Sequence, residues 1–202
     1  MKLIRVTLSL ALVLIFQSMA FSQMSLPALP EDISPLLIGE KIPEMRLQNE
    51  KGEWINTGLL MTGKPTVLIF YRGGWCPYCN QHLSEISEIE QKILALGFQI
   101  IAISPDAVQK LGETAGKQKL NYHLFSDSAG TFAKSMGISF QAPNHYLKLI
   151  NESSMGRNKE TLPVPSLFVV NTKLEILFEH IQPNFKTRIS SKLLLSVLEG
   201  LK

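Results

Sequence analysis

The sequence contains few of the residues that build disulfide frameworks and metal sites. Among its 202 residues there are two cysteines and four histidines. One cysteine pair cannot supply the several cross-links on which small secreted scaffolds depend. A structural zinc ion takes about four ligands, and the cysteine pair has only His82 near it in sequence, which we interpret as an exposed helix residue. We therefore expect no metal site and no other cofactor.

A strong charge of either sign is also missing. The formal net charge is +3 at pH 7, and Lys2 and Arg5 contribute two of these charges within the N-terminal segment 1–22. Without that segment the chain carries a net charge of +1. Proteins that bind nucleic acid present a strongly basic surface, so we predict that nucleic acid is not a partner.

The N-terminal segment has the order of features of a secretory signal peptide. Two basic residues precede an apolar run over 6–16, and small residues follow the run. The run is shorter than the roughly 20 residues of a membrane span, so we expect no stable membrane insertion. We predict a signal peptide over 1–22, cleaved after Ala20 or Ser22, and export to the periplasm or the extracellular space.

Hydrophobic periodicity predicts alternating strands and helices along the rest of the chain. Segments 66–71 and 98–104 are apolar almost throughout, which is typical of strands buried on both faces. Between them, apolar residues recur every three or four positions from Pro77 to Leu96, as in an amphipathic helix. A strand, helix and strand connected in this way form a parallel, right-handed unit.

The remaining segments complete one α/β domain over 38–202, which an extended segment over 23–37 precedes. An antiparallel hairpin is predicted over 166–178, whereas 139–163 has no clear period. The shorter predicted elements are strands over 44–47, 54–56 and 122–125 and helices over 107–117, 129–136 and 187–201. Parallel and antiparallel strands together predict a mixed central β-sheet flanked by helices.

The only two cysteines, Cys76 and Cys79, lie where the first buried strand gives way to the helix. A thiol becomes a nucleophile when it loses its proton, and the free N–H groups and dipole of a helix N-terminus stabilise the resulting charge. Pro77 suits the first helical turn because its missing N–H would have no helical partner. Cys79 follows one turn later on the same face, so the two sulfur atoms can form a redox disulfide.

An inert structural disulfide between the same cysteines is the simplest alternative. A bond that closes so short a loop constrains the unfolded chain little, since the entropic gain grows with loop length. A structural cross-link would join distant segments. The spacing therefore favours redox chemistry.

Several motifs, in this order, resemble the AhpC/TSA group of peroxiredoxin-like proteins within the thioredoxin superfamily. The segment Trp75-Cys76-Pro77-Tyr78-Cys79 resembles the active-site turn of that superfamily. The other similar segments are Thr66–Tyr71, Ile101–Asp106, Phe125–Asp127 with Gly130 and Ala133, and Val164-Pro165 before the strand 166–170. The resemblance spans about 38–200 and implies a thioredoxin-like fold of three layers.

The resemblance also implies roles for residues around the cysteines. Val164-Pro165 is similar to the segment in which thioredoxin folds hold a cis-proline opposite the cysteines. Val164, Pro165 and Trp75 are therefore expected to position the substrate, with backbone groups free to pair with an incoming chain. Arg72 lies shortly before Cys76 and is a candidate support for its thiolate, with a surface role as the alternative.

The sequence departs from typical peroxiredoxins at positions near the expected nucleophile. Ile69 and Gly73 stand where those enzymes have a proline and a Thr or Ser, and Val164-Pro165 brings no arginine. We therefore expect thiol–disulfide exchange with a disulfide-bearing protein as the main reaction. In this reaction Cys76 attacks the substrate disulfide and Cys79 releases the reduced product.

Two alternatives stay open at this point. In the first, Cys76 reduces a peroxide, as in a thioredoxin-dependent peroxiredoxin, and Cys79 condenses with the resulting sulfenic acid. Either redox reaction needs a thioredoxin-like electron donor or acceptor as a partner. In the second alternative, the exported chain is a non-enzymatic binding module with a permanent disulfide.

Overall fold

Seven strands form one mixed sheet in the computed structural model, which describes residues 26–202. The predicted signal peptide lies outside the described residues. The strands of this sheet are β1 (Arg46–Asn49), β2 (Trp54–Asn56), β3 (Thr66–Phe70), β4 (Gln99–Ser104), β5 (His123–Ser126), β8 (Ser166–Val170) and β9 (Ile176–Ile181). A separate ribbon pairs β6 (Ser139–Gln141) with β7 (Thr161–Pro163).

Helices cover both faces of the seven-stranded sheet. Within residues 26–202 they are α1 (Thr57–Met61), α2 (Pro77–Glu88), α3 (Glu90–Ala95), α4 (Val108–Gln118), α5 (Thr131–Ser135), α6 (Asn144–Ser153) and α7 (Ser191–Gly200). The strand order is β2-β1-β5-β4-β3-β8-β9. The chain therefore places its first clear strand, β3, in the interior of the sheet.

The sheet is parallel at its centre and antiparallel at both sides. β3 runs parallel to β4, with Val67 opposite Ile100, and β4 runs parallel to β5. On the other side of β3, the antiparallel strand β8 places Phe168 opposite Leu68. The outer pairs β8–β9, β5–β1 and β1–β2 are also antiparallel. The predicted mixed sheet flanked by helices is confirmed.

Alternate residues of β3 point into two separate cores. Val67 and Ile69 belong to the core that contains both cysteines and the apolar faces of α2, α4 and α7. Leu68 and Phe70 belong to the opposite core, beneath α1 and α5. Each large side chain buried in this way contributes roughly 1.5–3 kcal/mol, so both helical layers stabilise the sheet and the fold has three layers.

Several segments differ from their prediction. The helix predicted from Pro77 to Leu96 is interrupted at Ile89, which has φ −106° and ψ 6°. At this point the Ile89 N–H donates to the Ile86 carbonyl at 3.2 Å, three residues back, a tighter turn that is common at the end of a helix. The segment 139–163 holds the ribbon strands with α6 between them, elements too short to show a clear period.

The described part of the N-terminal segment packs along the ribbon. The Gln141 N–H donates to the Pro27 carbonyl at 2.8 Å, and the Leu36 N–H donates to Met136 at 3.1 Å. A 3-10 turn over Pro30–Asp32 interrupts the predicted extended course. No helix in residues 26–202 combines the length and apolar content of a membrane span.

Asp127, the residue after β5, is hydrogen-bonded to the start of the helix that follows it. Its carboxylate accepts hydrogen bonds from the backbone N–H groups of Phe132 (3.1 Å) and Ala133 (2.9 Å) in the first turn of α5. These N–H groups have no partner within the helix itself. Burial raises the pKa of Asp127 to about 6, so part of the gain from these bonds is offset by the desolvation of its charge.

We expect Asp127→Ala to lower the free energy of unfolding by about 1–3 kcal/mol, because two buried N–H groups lose their acceptor. Asp127→Asn keeps one acceptor oxygen and should lose less. Urea unfolding measures both variants, with the exposed Glu199→Ala as a control that changes stability by less than about 0.5 kcal/mol. An Asp127→Ala variant as stable as the control would contradict this role.

Candidate active site

Cys76 lies at the end of the loop that joins β3 to α2. It is the residue before the first helical position, with extended backbone angles, and Pro77 begins the helix. Its carbonyl accepts the N–H groups of Cys79 (3.1 Å) and Asn80 (3.0 Å). The thiol is therefore held at the positive end of the α2 dipole, where a thiolate is stabilised.

A tight turn of the loop precedes Cys76. The Cys76 N–H donates to the Gly73 carbonyl at 3.1 Å. Both backbone groups of Gly74 are held, because its N–H donates to Asp106 Oδ2 at 2.7 Å and its carbonyl accepts from Asn80 Nδ2 at 2.8 Å. Gly73 has φ +141°, a conformation that favours glycine.

The two thiols have opposite proton affinities. The pKa of Cys76 is lowered from 9.0 to about 6, first by a hydrogen bond with Cys79 and further by the positive charges of Arg72 and Arg188, against the effect of burial. Burial raises the pKa of Cys79 well above its ordinary value. Cys79 therefore keeps its proton and donates it in a hydrogen bond to the Cys76 thiolate. In this structure both cysteines are free thiols.

Arg188 brings a second positive charge to the cysteines from far along the chain. Its Nη2 donates to Cys79 Sγ at 3.4 Å, across 109 residues of sequence. Its Nη1 donates to the carbonyls of Phe185 (2.7 Å) and Thr187 (2.6 Å), which orient the guanidinium. From the sequence we considered an arginine only before β8 and missed Arg188, which lies inside the last helix predicted over 187–201. In the structure α7 begins at Ser191, so Arg188 lies in the loop before it.

Arg72 is buried, with 3% of its surface exposed, so the surface role that we left open is wrong. Its Cζ lies 4.4 Å from the ring centres of Tyr146 and Phe185 and 5.1 Å from that of Trp75. Cation–π contacts of desolvated groups contribute about 2 kcal/mol. The three rings therefore retain a buried cation beside the Cys76 thiolate. Trp75 contacts Arg72 and Tyr146 here, and no substrate contact is needed to explain its position.

The segment opposite the cysteines is not arranged as the resemblance implied. No peptide bond in residues 26–202 is cis, so the predicted cis bond between Val164 and Pro165 is wrong. The extended course from β7 into β8 pairs the Val164 N–H with Ile138 at 2.8 Å, and a trans bond, which is the favoured isomer, accommodates this course.

The backbone groups that we expected to be free at this segment are also occupied. The Val164 carbonyl accepts from Ser166 Oγ at 2.8 Å, and the Pro165 carbonyl accepts from the Gln182 N–H at 3.1 Å. Val164 and Pro165 are both buried. They therefore offer an incoming chain no free backbone group, which removes the basis of their predicted role in positioning a substrate.

His82 lies one turn after Cys79 and is 4% exposed, so the expectation of an exposed residue is wrong. It faces the core layer beneath α2, together with Arg188 and His180 around a small cavity. Burial and then the charge of Arg188 lower the pKa of His82 to about 3, and the same causes lower that of His180. Both imidazoles are therefore neutral. Residues 26–202 contain no cluster of three or more side chains suited to a metal ion.

Known proteins of similar sequence identify the family of this chain. The model of the AhpC/TSA family matches residues 38–178. The chain belongs to the AhpC/TSA family. Over 155 residues it is 24% identical to peroxiredoxin Bcp of Escherichia coli, which covers 77% of this chain and 90% of that protein.

Two crystal structures of similar proteins confirm the predicted thioredoxin-like fold. Peroxidoxin BcpB from Mycobacterium tuberculosis superposes with a TM-score of 0.67 at 19% identity, covering 82% of this chain and 97% of that one. Reduced Prx3 from Vibrio vulnificus in complex with H₂O₂ gives a TM-score of 0.68 at 15% identity, covering 81% and 99%. Membership of the AhpC/TSA family, together with the paired thiols, makes the chain a thiol-based oxidoreductase.

We expect the alkylation rate of Cys76 to rise with pH about a midpoint near 6, because the thiolate is the reactive form. Arg72→Met keeps most of the side-chain volume and removes the charge, so the midpoint should rise by about one unit. Iodoacetamide labelling over a pH series, read on the Cys76 peptide by mass spectrometry, measures both values. As a control, Lys186→Met removes an exposed charge at Phe185 and should leave the midpoint unchanged. An unchanged midpoint in Arg72→Met would contradict the role of Arg72 in stabilising the Cys76 thiolate.

Proposed function

We propose that this chain is a thiol peroxidase in which Cys76 is the peroxidatic cysteine and Cys79 the resolving cysteine. The observation that carries the proposal is that the more acidic thiol is also enclosed: Cys76 is 1% exposed, and its pKa is about 6. A peroxide is small enough to reach such a thiol through a slight opening. A disulfide or thiol of another protein reaches it only after a larger opening of the site.

The first step consumes the peroxide. The Cys76 thiolate attacks one oxygen, the O–O bond breaks, and the sulfur becomes a sulfenic acid while the leaving oxygen takes a proton to form water or an alcohol. Arg72 and Arg188 supply positive charge beside the sulfur atoms. Fixed charge aimed at a developing negative charge lowers the barrier of such a step.

The second step forms the disulfide. Cys79 attacks the sulfur of the Cys76 sulfenic acid, an S–S bond forms, and the hydroxyl leaves with the Cys79 proton as water. Cys79 lies one helical turn from Cys76, with its N–H bonded to the Cys76 carbonyl at 3.1 Å, and Arg188 stabilises negative charge on Cys79 as its proton departs. A thioredoxin-like dithiol partner then reduces the disulfide by exchange and regenerates both thiols.

Thiol–disulfide exchange with a protein substrate is the second candidate, and it was our first expectation from the sequence. The Cys-x-x-Cys spacing favours it. The occupied backbone groups of Val164 and Pro165 disfavour it, because an incoming chain has nothing there to pair with. The relatives named as peroxiredoxins likewise support the peroxide reaction.

We expect hydrogen peroxide to oxidise Cys76 at pH 7 about 100-fold faster than a free thiol, or more. A pKa near 6 raises the thiolate fraction about 30-fold, but the lower basicity of such a thiolate offsets most of that gain. The rate of Cys76 in excess of a free thiol therefore measures how far the site stabilises the leaving oxygen. Stopped-flow tryptophan fluorescence measures the rate.

Two variants separate the steps. Cys79→Ser should accumulate the Cys76 sulfenic acid, trapped with dimedone, whereas Cys76→Ser should show no fast phase. Cys79→Ala should trap a mixed disulfide if protein exchange is the real reaction. Peroxide oxidation no faster than that of a free thiol, combined with a trapped protein partner, would reverse the assignment in favour of exchange.

We also propose that the chain is exported, on the basis of the signal-peptide pattern over 1–22. The prediction is a mature N-terminus at Phe21 or Gln23, measured by mass spectrometry of the protein recovered from the extracytoplasmic fraction of its source cells. Recovery of the intact N-terminus in the cytoplasmic fraction would exclude export.

A further inference from the structure

We propose that Asp106 is a positioning residue for the nucleophile: its carboxylate holds the Gly74 peptide and thereby fixes the turn that presents Cys76 at the start of α2. The inference rests on the proposed function only in taking Cys76 as the attacking thiol. It concerns how the protein holds that thiol, and no part of it depends on which oxidant the thiol attacks.

Asp106 is itself rigidly held. It lies two residues beyond the end of β4. Its carbonyl accepts from Ser126 Oγ at 2.6 Å, and its N–H donates to Ser104 Oγ at 3.3 Å. Only 1% of its surface is exposed. An anchor that positions another group must itself be locked by packing and hydrogen bonds, and Asp106 meets this condition.

The carboxylate reaches the loop at a point where side chains are excluded. Asp106 Oδ2 accepts the Gly74 N–H at 2.7 Å. A Cβ on Gly73 would lie 2.8 Å from Asp106 Oδ1 and would overlap the indole nitrogen of Trp75. A Cβ on Gly74 would overlap Thr114 Oγ1. Gly73 thus permits the close approach of Asp106 to the backbone, and Gly74 permits that of Thr114.

The restraint is transmitted over two peptide units to the nucleophile. The Gly74 carbonyl is held by Asn80 of α2, so Asp106 and Asn80 hold the two peptide units on either side of the Gly74 Cα, between β4 and the helix. The next constraint along the chain is the turn in which the Cys76 N–H donates to Gly73. Fixing Gly74 therefore fixes both the turn and the first residue of the helix.

The energetic cost of Asp106 supports a functional role. Burial raises its pKa to about 6, although the Gly74 hydrogen bond lowers it, which shows that the charged form is poorly solvated here. Buried carboxylates are costly unless they are hydrogen-bonded, and here burial outweighs the hydrogen bonds with Gly74, Ser104 and Ser153 that lower the pKa of Asp106. Acidic groups held at such a cost occur often at functional sites.

Asp127 provides a matched comparison within the same chain. Both carboxylates leave neighbouring parallel strands at the same edge, both are buried, and the pKa of each is about 6. Asp127 caps α5, whereas Asp106 holds the loop before Cys76. Substituting each in turn separates a general loss of stability from a specific effect on the thiol.

The experiment compares Asp106→Ala, Asp106→Asn and Asp127→Ala by two readouts, the pH profile of Cys76 alkylation and the rate of its oxidation by hydrogen peroxide. Asp106→Ala should move the alkylation midpoint upward by about one unit and slow oxidation by about 10- to 100-fold, since a loosened nucleophile is misplaced. Asp106→Asn retains an acceptor for the Gly74 N–H and should stay within about threefold of the native rate.

Asp127→Ala should lose stability and leave both readouts at their native values. The proposal is overturned if Asp106→Ala keeps the native alkylation midpoint and oxidation rate. It is also overturned if Asp106→Asn slows oxidation as much as Asp106→Ala does, or if Asp127→Ala shifts the midpoint by the same amount. If Asp106→Ala does not fold, Asp106→Glu displaces the carboxylate by one methylene and should shift the midpoint in the same direction; an unshifted midpoint there overturns the proposal too.

The two readouts keep this proposal separate from the peroxidase assignment. A native protein that reacts slowly with peroxide would contradict the proposed function and leave the alkylation profile as a full test of Asp106. A fast native reaction with no response to Asp106→Ala would contradict the positioning role alone.

Discussion

The parallel pairing of β3 with β4 determines where the chemistry of this protein takes place. Parallel neighbours end at the same edge of a sheet, and in open α/β sheets binding sites lie beyond those carboxyl ends. The Tyr71 N–H continues the pairing one residue beyond β3 by donating to Ile103 at 3.0 Å. The active-site loop therefore starts at a defined point beside Asp106, and every later contact of Cys76 is built from there.

Burial raises the pKa of both thiols, and their final pKa values diverge because their partners differ. Cys79 lies deeper in the core layer and keeps its proton, since a buried charge is poorly solvated. That proton then forms the hydrogen bond that contributes most to the acidity of Cys76. Arg72, held among three aromatic rings, adds charge without exposing the site to water. The burial of Cys76 itself opposes this acidity, but it also limits the size of what the thiolate can attack.

Local sequence patterns were sufficient for the parts of the site that one segment builds. The strand-to-helix position of Cys76 followed from a buried run, Pro77 and the helical period. Arg188 could not be found in this way, because 109 residues separate it from Cys79 and only tertiary packing joins them. The sequence left the burial of Arg72 open and predicted an exposed His82 for the same reason. A single polar residue in the sequence does not show which distant elements pack over it. The short elements within 139–163 lacked the length that reveals a period.

The Cys-x-x-Cys spacing has a kinetic consequence in a peroxide-reducing site. A sulfenic acid can condense with a nearby thiol or react with a second peroxide to give an irreversible sulfinic acid. Cys79 lies one helical turn from Cys76, and its N–H already bonds to the Cys76 carbonyl at 3.1 Å, so disulfide formation does not require α2 to unwind. Since the competing attack must come from solvent and the condensation from a neighbour already in contact, the geometry favours the reversible branch over the destructive one.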